Sequence, residues 1–128
     1  MAEPPRTILV VEDDRDVREI ALAVLEAAGY RVLEAASGDD AYRLLLARPD
    51  LPIDVLFTDV VMPGRLDGID LAAAAQTLRP GLRVLYATGF ANLVRANRDS
   101  DLHGPLLRKP YRPGELCAAI TALLETVN

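Results

Sequence analysis

Cysteine occurs once in the 128 residues, at Cys117, and tryptophan not at all. A single thiol can form neither an internal disulfide nor a cysteine-based zinc site. No apolar run approaches the ~20 residues that a membrane-spanning helix needs. The first residues, Met1-Ala2-Glu3-Pro4-Pro5-Arg6, lack the basic stretch followed by an apolar one that marks a secretory signal. These absences favour a cytoplasmic protein with no direct membrane contact. Basic residues are also few, 14 Lys and Arg against 19 Asp and Glu for a net charge of −5, which argues against a nucleic-acid partner. The nearest approach to a basic group is Arg95, Arg98, Arg108, Lys109 and Arg112, read as a solvated face with one special lysine. His103, the sole histidine, sits in a polar stretch and is assigned no role.

What is present is the composition of one globular domain, 51% hydrophobic and 26% charged. Short runs rich in Val, Leu and Ile predict five strands: Thr7 to Val11, about Arg31 to Ala35, Asp54 to Thr58, Arg83 to Thr88, and a short one around Pro105 to Arg108. The first, third and fourth are continuously apolar, as expected of strands covered by helices on both faces. Between them, Val17, Ile20, Ala21, Val24, Leu25 and Ala28 share one face of a helix stopped by Gly29. Ser37 and Asp67 are N-cap candidates for helices carrying Ala41, Leu44 and Leu45, and Leu71, Ala74, Ala75 and Leu78. Pro113 suits the first turn of a last helix with Leu116, Ile120, Leu123 and Val127 inward, and Cys117 reads as a small packed residue. The polar stretch from Ala91 to Gly104 leaves room only for a short or irregular fourth helix. Strands alternating with helices imply right-handed crossovers and a parallel sheet.

Ligands of open parallel sheets bind beyond the carboxyl ends of the strands. Glu12, Asp13 and Asp14 follow strand 1, Asp59 follows strand 3, Thr88 closes strand 4, and Lys109 follows strand 5. Each alone has an ordinary reading: a solvated capping loop, a turn aspartate beside Pro63-Gly64, a β-branched strand end, a surface lysine. Their convergence on one rim points to a site. Two like charges ~4 Å apart repel by ~4 kcal/mol at an effective dielectric of ~20. A hard divalent cation relieves that repulsion, and a few carboxylates with retained waters suit Mg²⁺. Such a site fits phosphoryl transfer, with Asp59 as nucleophile and Lys109 and Thr88 beside the transferring group.

The segments Ile8-Leu9-Val10-Val11-Glu12-Asp13-Asp14, Asp59-Val60-Val61-Met62-Pro63-Gly64, Ala87-Thr88-Gly89 and Lys109-Pro110 resemble the receiver domain of bacterial response regulators, in order and in spacing. The likeness spans about Arg6 to Val127, within a single domain over residues 1–128. It implies a flavodoxin-like, doubly wound five-stranded parallel sheet of order 2-1-3-4-5. It also implies Asp59 as phosphoacceptor, Asp13 as direct metal ligand, Glu12 acting largely through water, and the Val61 backbone carbonyl as a third protein ligand of Mg²⁺. Thr88 matches the switch hydroxyl and Lys109 the ion-pair lysine, with a cis Lys109–Pro110 bond. The implied partners are a histidine kinase or a histidine phosphotransfer protein, with a downstream protein effector possible. The resulting expectation is a signalling switch that is not an enzyme on an external substrate.

Two departures stand out. Leu106 occupies the strand-5 position where well-studied receivers carry Tyr or Phe, so Tyr86 and Phe90, flanking Thr88, become candidates for that switch role. The Met62–Gly68 loop is one residue longer than its commonest form, similar to receivers of hybrid histidine kinases and to a subgroup of single-domain regulators. Val61 and Phe90 are apolar where family members tune phosphoryl loss, so self-dephosphorylation is expected to be slow. Two other classes compete: a pseudo-receiver that binds without phosphorylation, and a small Mg²⁺-dependent phosphohydrolase hinted at by Asp14-Arg15-Asp16.

Overall fold

The computed structural model describes residues 5–89 and 102–125. The expected fourth helix before Leu102, Phe90 and Val127 lie outside the described residues. The elements run β1 (Thr7–Val11), α1 (Arg15–Ala27), β2 (Arg31–Ala35), α2 (Gly38–Ala47), β3 (Val55–Asp59), α3 (Gly68–Leu78), β4 (Arg83–Thr88), β5 (Leu106–Arg108) and a C-terminal helix (Pro113–Glu125). All five strands pair in parallel in the order β2-β1-β3-β4-β5. The order reverses between β1 and β3, and the crevice at that point opens at the carboxyl ends of the strands.

The continuous apolar runs follow from burial on both faces. Every residue of β1 and β3 is buried. Side chains alternate between the faces at a period of two. Ile8, Val10, Val55, Phe57 and Leu85 pack under α1 and the C-terminal helix, against Ala21, Leu25, Leu116 and Ile120. Leu9, Val11, Leu56, Val84 and Tyr86 face α2 and α3, against Ala41, Leu45, Leu71 and Ala75. Each fully buried aliphatic side chain contributes about 1.5–3 kcal/mol of transfer free energy.

The helix starts follow the capping chemistry read from the sequence. Asp14, Ser37 and Asp67 are extended N-cap residues whose side chains accept from the N–H groups of Val17, Asp40 and Asp70. The helix faces were expected too broadly. Ile20 is 59% exposed and Leu78 41% exposed, while Leu22 is buried. At 100° per residue, Leu22 falls beside Leu25 on the sheet side and Ile20 swings to the rim. Asp59 is the last residue of β3 rather than the residue after it, because Asp59 still pairs with Ala87 of β4. No helix among the described residues is long and apolar enough to cross a membrane.

Candidate functional site

Strand register sets the site. Val11 lies beside Thr58, Asp59 beside Ala87, and Thr88 beside Arg108, so β1, β3, β4 and β5 end nearly level. Residues at these ends and just beyond them line a cleft of about 370 Å³, among them Glu12, Asp13, Asp59, Val61, Thr88 and Lys109. All the described site residues expected from the sequence around the acceptor and the metal thus share one cleft. Leu106 sits one strand pairing away, opposite Tyr86.

Lys109 is the only lysine of the chain. Its Nζ lies 2.7 Å from Asp59 Oδ1 and 2.6 Å from Glu12 Oε1, one ammonium between two carboxylates. Its N–H donates to the Thr88 carbonyl at 2.9 Å, and the Lys109–Pro110 bond is cis. Glu12 and Asp59 are 5% and 6% exposed, so neither carboxyl group is solvated by bulk water. Glu12 Oε2 accepts from the Asp14 N–H at 3.1 Å, and Arg18 Nη1 donates to the Glu12 carbonyl at 2.8 Å. Thr88 is 2% exposed, and its hydroxyl donates to the Gly89 carbonyl at 3.1 Å.

Two buried carboxylates this close cannot both ionise freely. Burial, reinforced by the adjacent Glu12 carboxylate, pushes Asp59 up to about 8. Burial acts in the same upward sense on Glu12, but hydrogen bonds with Asp59 and Lys109 overcome it and hold Glu12 down to about 2. Asp13 is also raised, by burial and by Glu12. Lys109 is raised despite its burial, because both Asp59 and Glu12 favour the charged form.

Carboxylate oxygens of Glu12, Asp13 and Asp59 lie within 4.8 Å of one another. Three hard oxygen donors with one ammonium to balance them carry an excess of negative charge, the condition a hard divalent cation relieves. The donor set therefore fits Mg²⁺.

Three contributors went unread in the sequence. Arg18, its side chain 14% exposed, joins Glu12 to Glu34 of β2. Tyr111 packs edge-on against Phe57 at 5.8 Å between ring centres. Burial and the Glu12 carboxylate push its hydroxyl up to about 12. Asp39 of α2 reaches the β3–α3 loop. The first and last are side-chain contacts that join separate elements, which leave no periodic signal.

A flavodoxin-like sheet whose switch-point crevice gathers acidic side chains, an ammonium and a hydroxyl defines the class of phosphoacceptor domains. Comparison with known proteins narrows this further. Residues 8–121 match the response regulator receiver domain family. The chain is 39% identical over 121 residues to the response regulator receiver protein CpdR of Brucella abortus (strain 2308), covering 93% of this chain and 97% of that protein. It is 32% identical over 120 residues to the sensor kinase CckA of the same organism, covering 93% of this chain but 12% of that longer protein. The crystal structure of a response regulator receiver protein from Sinorhizobium medicae WSM419 superposes with a TM-score of 0.82 at 27% identity, over 95% of this chain and 96% of that one. The chain belongs to the response regulator receiver domain family, the phosphorylation-dependent switches of two-component signalling. Members of that family interact with histidine kinases or phosphotransfer proteins.

Proposed function

We propose that Asp59 is the phosphoacceptor of this switch, with Mg²⁺ held by Glu12, Asp13, Asp59 and the Val61 backbone carbonyl. The observation that carries the reading is the placement of Lys109 Nζ 2.7 Å from Asp59 Oδ1, inside a cleft that also holds Asp13 and Thr88. An Asp59 carboxylate oxygen attacks the phosphorus of a phosphohistidine. The new O–P bond forms as the N–P bond breaks, and the histidine, already protonated from solvent on its other ring nitrogen, leaves as neutral imidazole. Bound Mg²⁺ supplies neutralisation of phosphoryl charge. Lys109 neutralises another part of that charge and keeps the Asp59 carboxylate oriented. Thr88 then exchanges its bond to the Gly89 carbonyl for one to a phosphoryl oxygen, a response to the added charge that alters the end of β4.

The donor partner is a helical phosphohistidine protein, a histidine kinase or a histidine phosphotransfer protein. A groove formed by Val17, Ile20, Pro110 and Tyr111 adjoins the acceptor cleft, sharing Val17 and Lys109 with it. An apolar helix face laid there brings its phosphohistidine to Asp59. Output passes to a protein effector by contact.

The competing readings have less support. Asp14 Oδ1 accepts from the Val17 N–H as a helix cap, so the Asp14-Arg15-Asp16 imitation of a phosphohydrolase pattern has a structural cause. A pseudo-receiver has no use for Glu12, Asp13, Asp59, Thr88 and Lys109 in one cleft. Intact-protein mass spectrometry after incubation with acetyl phosphate tests the proposal: one phosphoryl group is gained with Mg²⁺ and none with chelator or in Asp59→Asn. A kinase panel replaces acetyl phosphate if the small donor is refused, and refusal of every donor overturns the reading.

A further inference from the structure

The β3–α3 loop carries Val61 at the mouth of the cleft, and by the resemblance drawn from the sequence it is one residue longer than the commonest receiver form. Its base is closed by the Gly68 N–H, which donates to the Val60 carbonyl at 2.8 Å, and Met62 within it is buried. Its far end is held by a side chain from another element. Asp39, in the first turn of α2, accepts from the Leu66 N–H through Oδ1 at 3.0 Å and from the Arg65 N–H through Oδ2 at 3.3 Å. The backbone on both sides is shaped for this approach. Gly64 turns with φ +106°, and a Cβ there would stand 3.0 Å from Asp39 Oδ2. A Cβ on Gly38 would stand 2.4 Å from the Leu66 carbonyl oxygen, so α2 and the loop touch backbone to backbone.

We propose that Asp39 is a positioning residue for the phosphorylation site. Resting on the reading of Asp59 and its metal ligands given above, Asp39 clamps the 64–66 turn and so fixes the backbone that presents the Val61 carbonyl. It touches none of the reacting atoms. Without the clamp, an enlarged loop anchored only at its base samples alternatives, and the carbonyl loses its fixed aim. Groups that orient metal ligands in this indirect manner typically cost 10–100-fold in metal affinity when removed. The neighbouring Asp40 supplies an internal control. It lies on the same helical turn and carries the same charge, but pairs with Arg43 at 2.8 Å rather than with the loop.

The test compares the native chain, Asp39→Ala and Asp40→Ala in two readouts. The first is amide hydrogen exchange of the metal-free proteins, followed by NMR. The second is Mg²⁺ affinity by NMR titration. The expected result is exchange at Arg65 and Leu66 that is ~10-fold faster in Asp39→Ala alone, together with ~10-fold weaker Mg²⁺ binding in that variant alone. Should Asp39→Ala fail to fold, Asp39→Asn keeps one amide oxygen as acceptor for Leu66 and loses that for Arg65, with Mg²⁺ binding expected to be weaker than in the native chain. Unchanged Mg²⁺ affinity with faster exchange makes the clamp purely structural and overturns the proposal. Equal weakening in Asp40→Ala assigns the effect to charge and also overturns it. A native chain that binds no Mg²⁺ overturns the reading of the site itself, and is distinguished because it needs no variant.

Discussion

Tyr86 stands directly opposite Leu106 in the β4–β5 pairing, with no exposed surface and with its hydroxyl accepting from the His103 N–H at 3.1 Å. The aromatic ring on this face of the sheet is thus supplied by strand 4, and an aliphatic side chain fills the strand-5 position. Tyr86 and Thr88 point to the same face because they are two residues apart.

Tyr86→Phe removes the buried hydroxyl and leaves the His103 N–H without that acceptor. Stability is expected to fall by about 0.5–1.5 kcal/mol. Urea unfolding followed by circular dichroism measures the change. A fall within error of zero would mean that this bond contributes nothing to holding the start of β5.

The raised Asp59 carboxyl makes stability of the metal-free protein depend on pH in an unusual direction. Its folded value is about 8 against 3.8 unfolded, so between these limits the folded state binds more protons than the unfolded one. Stability is therefore highest near pH 4–5 and declines as pH rises toward 8, by on the order of a few kcal/mol. Glu12 does not mask this trend, since its depressed value of about 2 affects stability only below pH 4.5. Asp59→Asn should flatten the decline. Thermal unfolding in chelator between pH 5 and 8 reads it, and a native protein that gains stability with pH would contradict the assignment.

The same proton opposes the metal. Below pH 8, Mg²⁺ must displace the proton shared by the Asp59–Glu12 pair, so apparent affinity is expected to rise about tenfold per pH unit and level off above pH 8. Calorimetric titration in two buffers of different ionisation enthalpy counts the released proton. Affinity that is flat between pH 6 and 8 would show that the site binds metal without giving up a proton.

Lys109→Met separates metal binding from phosphoryl transfer. Lys109 is the one cation among the described residues that Glu12 and Asp59 share. Its loss should leave Mg²⁺ binding intact or tighter, because a competing positive charge is gone. Phosphoryl uptake should slow by about 10²–10³-fold, as for removal of one preorganised electrostatic donor. Pairing a Mg²⁺ titration with time-resolved mass spectrometry distinguishes this outcome from general collapse of the site, in which both would fail.

Phosphoryl loss should be slow. Val61 is 44% exposed at the cleft, with an apolar side chain that cannot hold an attacking water by hydrogen bonding. A half-life of minutes or longer is expected after removal of the donor, and decay within seconds would contradict it.

The sheet and the rim were legible from sequence for one physical reason. A parallel sheet buried on both faces requires unbroken apolar strands, and the end of each run announces where its polar residues emerge. The ends of those runs place Glu12, Asp13, Asp59, Thr88 and Lys109 on one rim. The placement errs by one residue at β3, where the apolar pattern stops at Thr58 but backbone pairing continues through Asp59. Helix faces were less legible, since Ile20 and Leu78 are apolar at roughly helical spacing yet face outward. Ile20 lines the groove beside Tyr111, where an apolar side chain serves a surface rather than a core. Asp39 and Arg18 were invisible because Asp39 reaches the backbone of the β3–α3 loop and Arg18 the Glu34 side chain of β2, and a carboxylate or guanidinium on a helix otherwise reads as solvated.

The most direct test of the central claim locates the phosphoryl group chemically. Borohydride reduces an acyl phosphate, converting the aspartyl residue that carried it to homoserine, which peptide mapping by tandem mass spectrometry then identifies. After phosphorylation with Mg²⁺ present, homoserine should appear at position 59 and nowhere else. Homoserine at position 13, or a borohydride-resistant phosphate ester on Thr88, would contradict the account.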